Sequence, residues 1–254
     1  MKHRALIIAS IAGAAFFGAI VANMVAAQQS RPLAPSSVDR AAIEQIVRDT
    51  IRDDPSIIVA ALNDYSANHV KDTVRKYLPE LLSSESGYVS VKNPASAKVA
   101  VIEFFDYHCG FCKRSSSFVQ ELIKNDPSVK FSFREFPILR EESDVASRYA
   151  LAARAQGKYL EMHFAMLGET GVVTEARIKE IAKKIGLDVN KLVADHNNPE
   201  FTRYIESDRR AAQEMNIDGT PTFIVASLDG DFVDIIPGFR PDDVKAAIAE
   251  AKKK

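Results

Sequence analysis

The chain has 254 residues, of which 46% are hydrophobic and 26% are charged, a composition typical of a globular protein with one full domain and an accessory segment. Its 33 basic and 34 acidic residues give a formal net charge of -1, without a long basic run. This balance excludes the electrostatic footprint of a nucleic-acid-binding protein, so nucleic acid is not an expected partner.

The N-terminus has the pattern of an export signal. A basic start over residues 2–4 precedes an uncharged apolar stretch over residues 5–24, and small residues suited to cleavage follow. We therefore predict a signal peptide over residues 1–27 and a polar, proline-containing linker over residues 28–36, with the mature chain in the periplasm. An uncleaved signal that anchors the chain in the inner membrane is the alternative, because about 20 apolar residues can span a bilayer.

Residues 37–86 are predicted to form a short all-helical segment, because their apolar positions recur at three- and four-residue spacing. Asp54 can cap a second helix whose first turn tolerates Pro55, and a third helical stretch carries the apolar positions from Val70 onward. So short a segment buries too little surface to fold alone, so it packs either on the main domain or on copies of itself as an oligomerisation segment. The apolar positions are Ala42, Ile43, Ile46, Val47, Ile51, Ile57, Ile58, Ala61, Leu62, Tyr65, Val70, Val74, Tyr77, Leu78, Leu81 and Leu82.

Residues 87–254 are predicted to form an α/β domain, with a boundary loop over residues 83–97. The run KVAVIEFF at residues 98–105 is almost continuously apolar, as in a strand buried on both faces. Further strands are predicted at 129–134, 222–227 and 232–236, successive helices over about 143–216, and a closing helix over 241–251. The order of these elements indicates a sheet covered by helices, with a long helical insertion.

The chemistry is expected at Cys109 and Cys112, the only two cysteines, which lie three residues apart where the buried strand gives way to a helix. Unpaired N–H groups and the positive dipole end at a helix N-terminus stabilise a thiolate, which is the species that attacks disulfides. The spacing also lets Cys112 resolve a mixed disulfide formed at Cys109. We predict Cys109 as the exposed nucleophile and Cys112 as the more buried resolving thiol, with this redox-active disulfide in place of any organic cofactor.

Two other roles of the cysteine pair stay open from the sequence. A static disulfide would close a very small loop, so it would stabilise the fold little. A zinc site would need two further ligands and the histidines lack ligand spacing, although two thiolates alone can hold copper(I). Met162, His163 and Met166 could suggest copper, but methionines at helical spacing are more often core residues. No metal is assigned, and copper handling is the alternative of another class.

Three residues outside the cysteine pair are candidates for the same site. Glu103 lies within the apolar strand, where burial is expected to raise its pKa and let it exchange a proton with Cys112. An exposed carboxylate at the strand end is the alternative for Glu103. Pro221 lacks an N–H group and opens a late strand, so backbone groups of Thr220 are free to pair with an extended substrate.

The neighbours of the pair carry weaker signals. His108 is expected to be a solvent-facing loop residue and Lys113 a solvated helix residue. Asp106 and Tyr107 either border a substrate groove or end the strand.

The run EFFDYHCGFCK at residues 103–113, the later GTPTF at residues 219–223 and the helical insertion between them resemble the DsbA-like branch of thioredoxin-fold disulfide oxidoreductases, over roughly residues 88–254. The N-terminal helical segment resembles that of bacterial suppressor-of-copper-sensitivity protein C and related disulfide isomerases. The resemblance implies a thioredoxin-like fold, a cis peptide bond before Pro221, and a Thr220 backbone that binds the substrate chain.

The resemblance also implies how the residues between the cysteines act. Oxidising members of the family often carry proline and histidine there, whereas this chain carries Gly110 and Phe111, so a less strongly oxidising couple is expected. Gly110 and Phe111 join Thr220 and Pro221 as the expected substrate-binding residues.

These observations predict a periplasmic thiol-disulfide oxidoreductase that acts on unfolded or misoxidised exported proteins, with a membrane protein as its redox partner. Disulfide isomerase or reductase activity is favoured where residues 37–86 hold active sites apart on a homo-oligomer. A monomeric DsbA-like dithiol oxidase is the alternative.

Overall fold

A computed structural model describes residues 39–84, 87–91 and 96–254. The predicted signal peptide over residues 1–27 and the predicted linker over residues 28–36 lie outside the described residues. In the part of the chain that is described, no helix is both long and apolar enough to cross a membrane.

Two helices open the described chain, and their first turns are set by aspartates. Helix α1 spans Arg40–Asp53, and the side chain of Asp39 accepts a hydrogen bond from the Ala41 amide at 3.0 Å. Helix α2 spans Ser56–Leu81 and begins where Asp54 Oδ1 accepts from the Ser56 amide at 3.0 Å. The second and third predicted helices are thus one helix, since neither glycine nor proline interrupts it before its last turn.

Five strands form one mixed sheet with the order β1-β3-β2-β4-β5. Strands β2 and β3 are parallel and the other neighbours are antiparallel. The strands are β1 (Tyr88–Val91), β2 (Val99–Phe105), β3 (Val129–Glu135), β4 (Thr222–Ser227) and β5 (Val233–Pro237). The prediction of an uninterrupted loop over residues 83–97 was wrong, because the four-residue β1 is too short for a periodic signal and forms by pairing with β3.

Helices connect and cover the sheet as predicted. Helix α3 (Gly110–Asn125) makes the crossover that the parallel β2–β3 pair requires. The helical insertion between β3 and β4 contains α4 (Glu141–Arg154), α5 (Tyr159–Leu167), α6 (Glu175–Lys184), α7 (Val189–Asp195) and α8 (Pro199–Glu214), and α9 (Pro241–Ala251) follows β5. The predicted α/β fold with a helical insertion is confirmed.

Strand β2 lies at the centre of the sheet and is buried along its whole length. Because alternate side chains point to opposite faces, Val101 and Phe105 join one core cluster and Ile102 and Phe104 join the other. Glu103 shares the face of Val101 and Phe105, which is the face that α3 covers. Strand β2 therefore directs the carboxyl group of Glu103 toward α3, the helix that carries the cysteines.

The chain divides into two compact units, one reaching Leu62 and the other running from Asn63 to Lys254. The second unit includes the later part of α2, whose Val74, Leu78 and Leu81 are buried in the core. This division differs from the boundary predicted at residue 87. Amphipathic spacing is the same in the buried and exposed parts of a helix, so the sequence pattern could not place the division inside α2.

A buried arginine fixes the C-terminal end of α2 to the sheet. Arg134 is 0% exposed, and it donates from Nε to the Leu81 carbonyl at 3.1 Å and from Nη2 to the Glu80 carbonyl at 2.7 Å. Its Nη1 lies 3.5 Å from Oδ1 of Asp208, which is 3% exposed. The cation thus satisfies helix-terminal carbonyls and one buried carboxyl group together.

We expect Arg134→Met to lower the free energy of unfolding by about 3–5 kcal/mol, because Asp208 and the carbonyls of α2 lose a buried partner. Urea unfolding followed by circular dichroism measures this change. Arg203→Met is the matched control, since its ion pair with Glu200 is exposed and contributes about 0–1 kcal/mol. Equal stability of the two variants would contradict the role of Arg134.

Candidate active site

The two cysteines occupy the start of α3, directly beyond the end of β2. Cys109 is the N-cap residue, with extended backbone angles (φ -74, ψ 119), and the helix begins at Gly110. The Cys109 amide donates to the carbonyl of Asp106 at 3.0 Å, which turns the chain between strand and helix. We call residues 106–109 the redox loop.

The two thiols differ sharply in their tendency to ionise. The pKa of Cys109 falls from 9.0 to about 5, because the Cys112 thiol, the Thr220 side chain and the backbone amides of Phe111 and Cys112 donate to the sulfur against the effect of burial. The pKa of Cys112 is raised well above 9.0, chiefly by burial and then by its hydrogen bond to Cys109. Cys109 therefore carries the thiolate and Cys112 keeps its proton.

Both cysteines are free thiols, and both are largely covered. Cys109 is 6% exposed and Cys112 is 0% exposed. Cys109 is more exposed than Cys112, as predicted. Cys109 is nevertheless largely buried, so the prediction that it is exposed was wrong. The loop before β4 covers it, since Cys109 Sγ lies 3.0 Å from the Thr220 carbonyl oxygen, to which the protonated thiol donates.

Glu103 is buried beneath the cysteines, at 1% exposure, so the alternative of a solvated strand-end carboxylate is wrong. Burial raises its pKa from 4.5 to about 8, while the Ser115 hydroxyl opposes the rise and the charge of Cys109 adds to it. Ser115 Oγ lies 3.2 Å from Glu103 Oε1 and 3.0 Å from the Cys112 carbonyl oxygen. Glu103 also contributes to the raised pKa of Cys112.

The loop that precedes β4 brings Thr220 and Pro221 to the redox pair. The Thr220–Pro221 peptide bond is cis, as the resemblance implied. The Gly238 amide donates to the Pro221 carbonyl at 2.7 Å, and Thr222 Oγ1 donates to the Gly219 carbonyl at 2.8 Å. These bonds hold the loop at the start of β4, next to Cys109.

The residues between the cysteines face outward. Gly110 and Phe111 are exposed, and the Phe111 side chain keeps 54% of its surface accessible. The guanidinium carbon of Arg114 lies 4.0 Å from the Phe111 ring centroid, a cation–π distance that fixes the ring one helical turn from its partner.

Asp106 organises the redox loop, a role that the sequence analysis missed. Its Oδ1 accepts from the His108 amide and from Ser143 Oγ, both at 2.7 Å. Its Oδ2 accepts from the amides of Ile138 at 2.9 Å and Leu139 at 3.0 Å. An aspartate that ends a strand two residues before a loop amide is an Asx-turn signal, but the two distant amides have no signature in the sequence.

His108 and Lys113 are both bound to protein groups rather than to solvent. The His108 side chain is 3% exposed, and burial lowers its pKa, so the prediction of a solvent-facing histidine was wrong. Lys113 Nζ donates to the carbonyl groups of Glu169 and Gly171, so it is not simply a solvated helix residue. Both residues point toward the segment between α5 and α6.

A second buried acid, Glu135, lies at the end of β3 and was also missed. Burial raises its pKa from 4.5 to about 8, and its Oε1 accepts from the hydroxyls of Tyr159 at 2.7 Å and Tyr107 at 3.3 Å. Tyr107 also lies 3.2 Å from His163 Nδ1. Tyr107 therefore neither borders a groove nor simply ends the strand, but joins a buried polar cluster behind the redox loop.

The group suggested for copper belongs to the core. Met162, His163 and Met166 are each 0% exposed, in agreement with the core prediction. Burial lowers the pKa of His163 to about 3, so this ring is neutral. Among the described residues, no group of three or more His, Cys, Asp or Glu side chains has the arrangement of a metal site.

A thiol pair at a helix start, beside a cis-proline loop on a sheet with a helical insertion, places the chain in the class of thioredoxin-fold thiol-disulfide oxidoreductases. The DSBA-like thioredoxin domain model matches residues 100–249, more than half of the chain. The chain therefore belongs to the DsbA-like thioredoxin family, and the predicted family and thioredoxin-like fold are confirmed.

Solved structures agree with this assignment. A thioredoxin-like oxidoreductase from Silicibacter pomeroyi is 39% identical, with a TM-score of 0.62, over 68% of this chain and 96% of that chain. The thiol-disulfide exchange protein α-DsbA2 from Wolbachia pipientis is 26% identical, with a TM-score of 0.64, over 72% and 96% of the two chains. A linker-deletion variant of ScsC from Proteus mirabilis shares the fold at 19% identity, with a TM-score of 0.66, over 86% and 97%.

Curated relatives match over a shorter part. Na(+)/H(+) antiporter NhaA 3 from Salinispora tropica is 29% identical over 137 residues, which is 53% of this chain and 21% of the antiporter. The chain thus spans about a fifth of the length of that relative, and the match gives no ground for assigning ion transport to it.

We expect the Cys109 thiolate to titrate with a pKa of about 5, while Cys112 shows no ionisation below pH 9. The ultraviolet absorbance of the thiolate, recorded against pH for the reduced protein and for Cys112→Ala, measures both values. Loss of the Cys112 thiol should raise the Cys109 pKa, because it removes the largest of the stabilising hydrogen bonds. An ordinary alkaline value in the wild type would contradict the site.

Proposed function

We propose that this protein is a periplasmic thiol-disulfide oxidoreductase that isomerises or reduces disulfides in exported proteins. A membrane redox partner returns its cysteine pair to the reduced state. The observation that carries the proposal is the separation of the two thiol pKa values at the start of α3, with Cys109 at about 5 and Cys112 well above 9.0. Only a pair so divided offers an attacking thiolate together with a protonated thiol that resolves the product.

The reaction follows from this division. The Cys109 thiolate attacks one sulfur of a substrate disulfide, the substrate S–S bond breaks, and its other sulfur leaves as a thiolate that takes up a proton. Cys112 then loses its proton to the Glu103 carboxylate and attacks Cys109 Sγ, which releases the second substrate thiol and leaves a Cys109–Cys112 disulfide. The substrate gains the two electrons that the enzyme loses. In isomerisation, a substrate thiolate instead attacks the mixed disulfide and regenerates the Cys109 thiolate.

Substrate binding is proposed at the loop before β4. Thr220, in the loop directly before β4, lies next to the sulfur that attacks the substrate, and its backbone amide pairs with an extended chain. The 54% exposed Phe111 adds an apolar contact at the helix start. This arrangement selects polypeptide by backbone and apolar contact rather than by one side chain.

A reducing or isomerising role is supported by the thiolate pKa. The attacking cysteine of thioredoxin, a reductant, has a pKa of about 7, and that of DsbA, a strong oxidant, about 3.5. The value of about 5 for Cys109 lies between them. The thiolate of the reduced form is therefore less stabilised than in a strong oxidant, which fits a couple that gives electrons to substrate disulfides more readily.

Self-association of the N-terminal helices is part of the same proposal. The stripe predicted on α1 and α2 remains exposed over the first helix and the start of the second, with exposures of 64% at Ile46 and 60% at Leu62. The other exposed members of the predicted stripe are Ile43, Val47, Ile57, Ile58 and Tyr65, and Val59, which was not predicted to belong to it, is exposed as well. Exposed apolar side chains in such number mark an interaction site, and a second copy of the chain supplies the same side chains.

We expect the pair of substitutions Ile46→Glu and Leu62→Glu to lower the mass in solution to that of a monomer and to abolish most refolding of scrambled ribonuclease. The reason is that buried glutamates oppose contact between apolar helix faces. Light scattering and the refolding assay measure the two effects. Gln45→Glu with Asn63→Glu is the control, since it adds the same charge at exposed polar positions. A variant that keeps wild-type mass and shuffling would contradict the oligomer.

We expect Glu103→Gln to slow the attack of Cys112 on a Cys109–glutathione mixed disulfide by about 10- to 100-fold, since the resolving thiol loses its proton acceptor. In the wild type this rate should rise with pH through about 8 as Glu103 ionises, and the variant should lose that inflection. Single-turnover release of glutathione gives the rates. The exposed Glu121→Gln is the control, and an unchanged pH profile in Glu103→Gln would rule out the relay.

A further inference from the structure

The two residues that flank the cysteine pair hold one and the same loop. The loop between α5 and α6, residues 168–174, approaches the redox loop from the helical insertion. His108 Nε2 accepts from the Val173 amide at 2.9 Å. Lys113 Nζ donates to the carbonyls of Glu169 at 2.5 Å and Gly171 at 3.2 Å. Three backbone groups of the 168–174 loop are therefore bound by side chains on either side of Cys109 and Cys112.

The direction of these bonds fixes the state of the histidine. Because the Val173 amide is a donor, His108 Nε2 carries no proton, so Nδ1 carries it and donates to Ser143 Oγ at 2.9 Å. The Ser143 hydroxyl in turn donates to Asp106 Oδ1. The chain from Val173 through His108 and Ser143 to Asp106 is complete only with a neutral histidine. His108 is thus neutral and joins the 168–174 loop to Ser143 and Asp106.

The same polar bonds position exposed apolar side chains beside the redox loop. Val172, next to the amide that His108 binds, is 44% exposed. Ile138 and Leu139, whose amides Asp106 binds, are 41% and 52% exposed. Polar side chains of the redox loop thus hold the backbone of two neighbouring segments while their apolar side chains remain open to a partner.

We propose that His108 and Lys113 are positioning residues that hold the 168–174 loop as a wall for an apolar stretch of the substrate polypeptide. This inference rests on the proposed function, because it assumes that the disulfide attacked by Cys109 belongs to a protein. The occupant is an extended, apolar segment next to the substrate cysteine. A substrate whose sulfur reaches Cys109, and whose backbone meets Thr220 directly before β4, brings its neighbouring residues toward the loop that His108 and Lys113 bind.

The 168–174 loop then determines which disulfides are attacked. A protein disulfide with apolar neighbours gains contacts to Val172, Ile138 and Leu139, whereas a small hydrophilic disulfide such as oxidised glutathione reaches Cys109 without them. Lys113 affects the selection of disulfides indirectly, through Val172. Its ammonium group binds the Glu169 and Gly171 carbonyls of the same loop, and the side chain of Val172 stays exposed.

The test compares kcat/KM for reduction of insulin with kcat/KM for oxidised glutathione. We expect Lys113→Met to lower the ratio of the two by about five- to tenfold, mainly through a higher KM for insulin. Val172→Ser should lower it similarly, and the double variant should lower it no further than the stronger single variant, because both act through one loop. Lys113→Arg, which keeps a donor, should restore most of the ratio.

Lys158→Met is the matched control, since Lys158 Nζ also donates to two loop carbonyls, those of Ile185 and Gly186, in the turn between α6 and α7. It should leave the ratio at the wild-type value. The Cys109 pKa of each variant is recorded alongside, so that a loss caused by removing the positive charge of Lys113 is recognised as a shift in that pKa.

Two negative outcomes are distinct. A wild type that reacts with glutathione but not with insulin would overturn the proposed function. A wild type that reduces insulin, with an unchanged ratio in Lys113→Met and Val172→Ser, would overturn this inference and leave the proposed function intact. Two further results would contradict a role exerted through the 168–174 loop. One is a double variant whose loss equals the sum of the two single losses. The other is a fall in the insulin-to-glutathione ratio that occurs only in variants whose Cys109 pKa has shifted.

Discussion

The active site is organised around the hydrogen bonds that the Cys109 sulfur accepts at the start of α3. Cys109 caps α3 and receives hydrogen bonds from the Cys112 thiol and from backbone amides of the first turn. Cys112, one turn further into the protein, has a raised pKa because burial penalises its charge. The same three-residue spacing thus yields opposite ionisation behaviour, since one sulfur stands before the helix and the other inside it.

The central strand supplies the frame that keeps this arrangement in place. Strand β2 is buried on both faces, and the chain must turn sharply at its end before α3 can begin. Asp106 makes that turn rigid by binding amides of its own loop and of the segment after β3. Glu103 lies in the same strand beneath the cysteines, where burial raises its pKa to about 8. Strand β2, the turn at Asp106 and the start of α3 together hold the cysteines in place.

The helical insertion contributes more than coverage of the sheet. His108 and Lys113 bind the 168–174 loop, and Ser143 of α4 joins His108 to Asp106. The insertion is therefore joined to the redox loop and to the first turn of α3 by hydrogen bonds. Both flanking residues are polar, and the side chain of His108 is only 3% exposed.

Local patterns in the sequence determined the strands β2 to β5, the start of α3, the thiol pair and the burial of Glu103, because each depends on residues within one element. Tertiary structure alone decided the short β1, the continuity of α2 into the core and the roles of Asp106, His108 and Lys113. The Val173 amide is 65 residues from His108, and the Thr220 carbonyl is 111 residues from Cys109. Such contacts depend on how the sheet and the insertion bring distant segments together, and no periodicity along the chain encodes that.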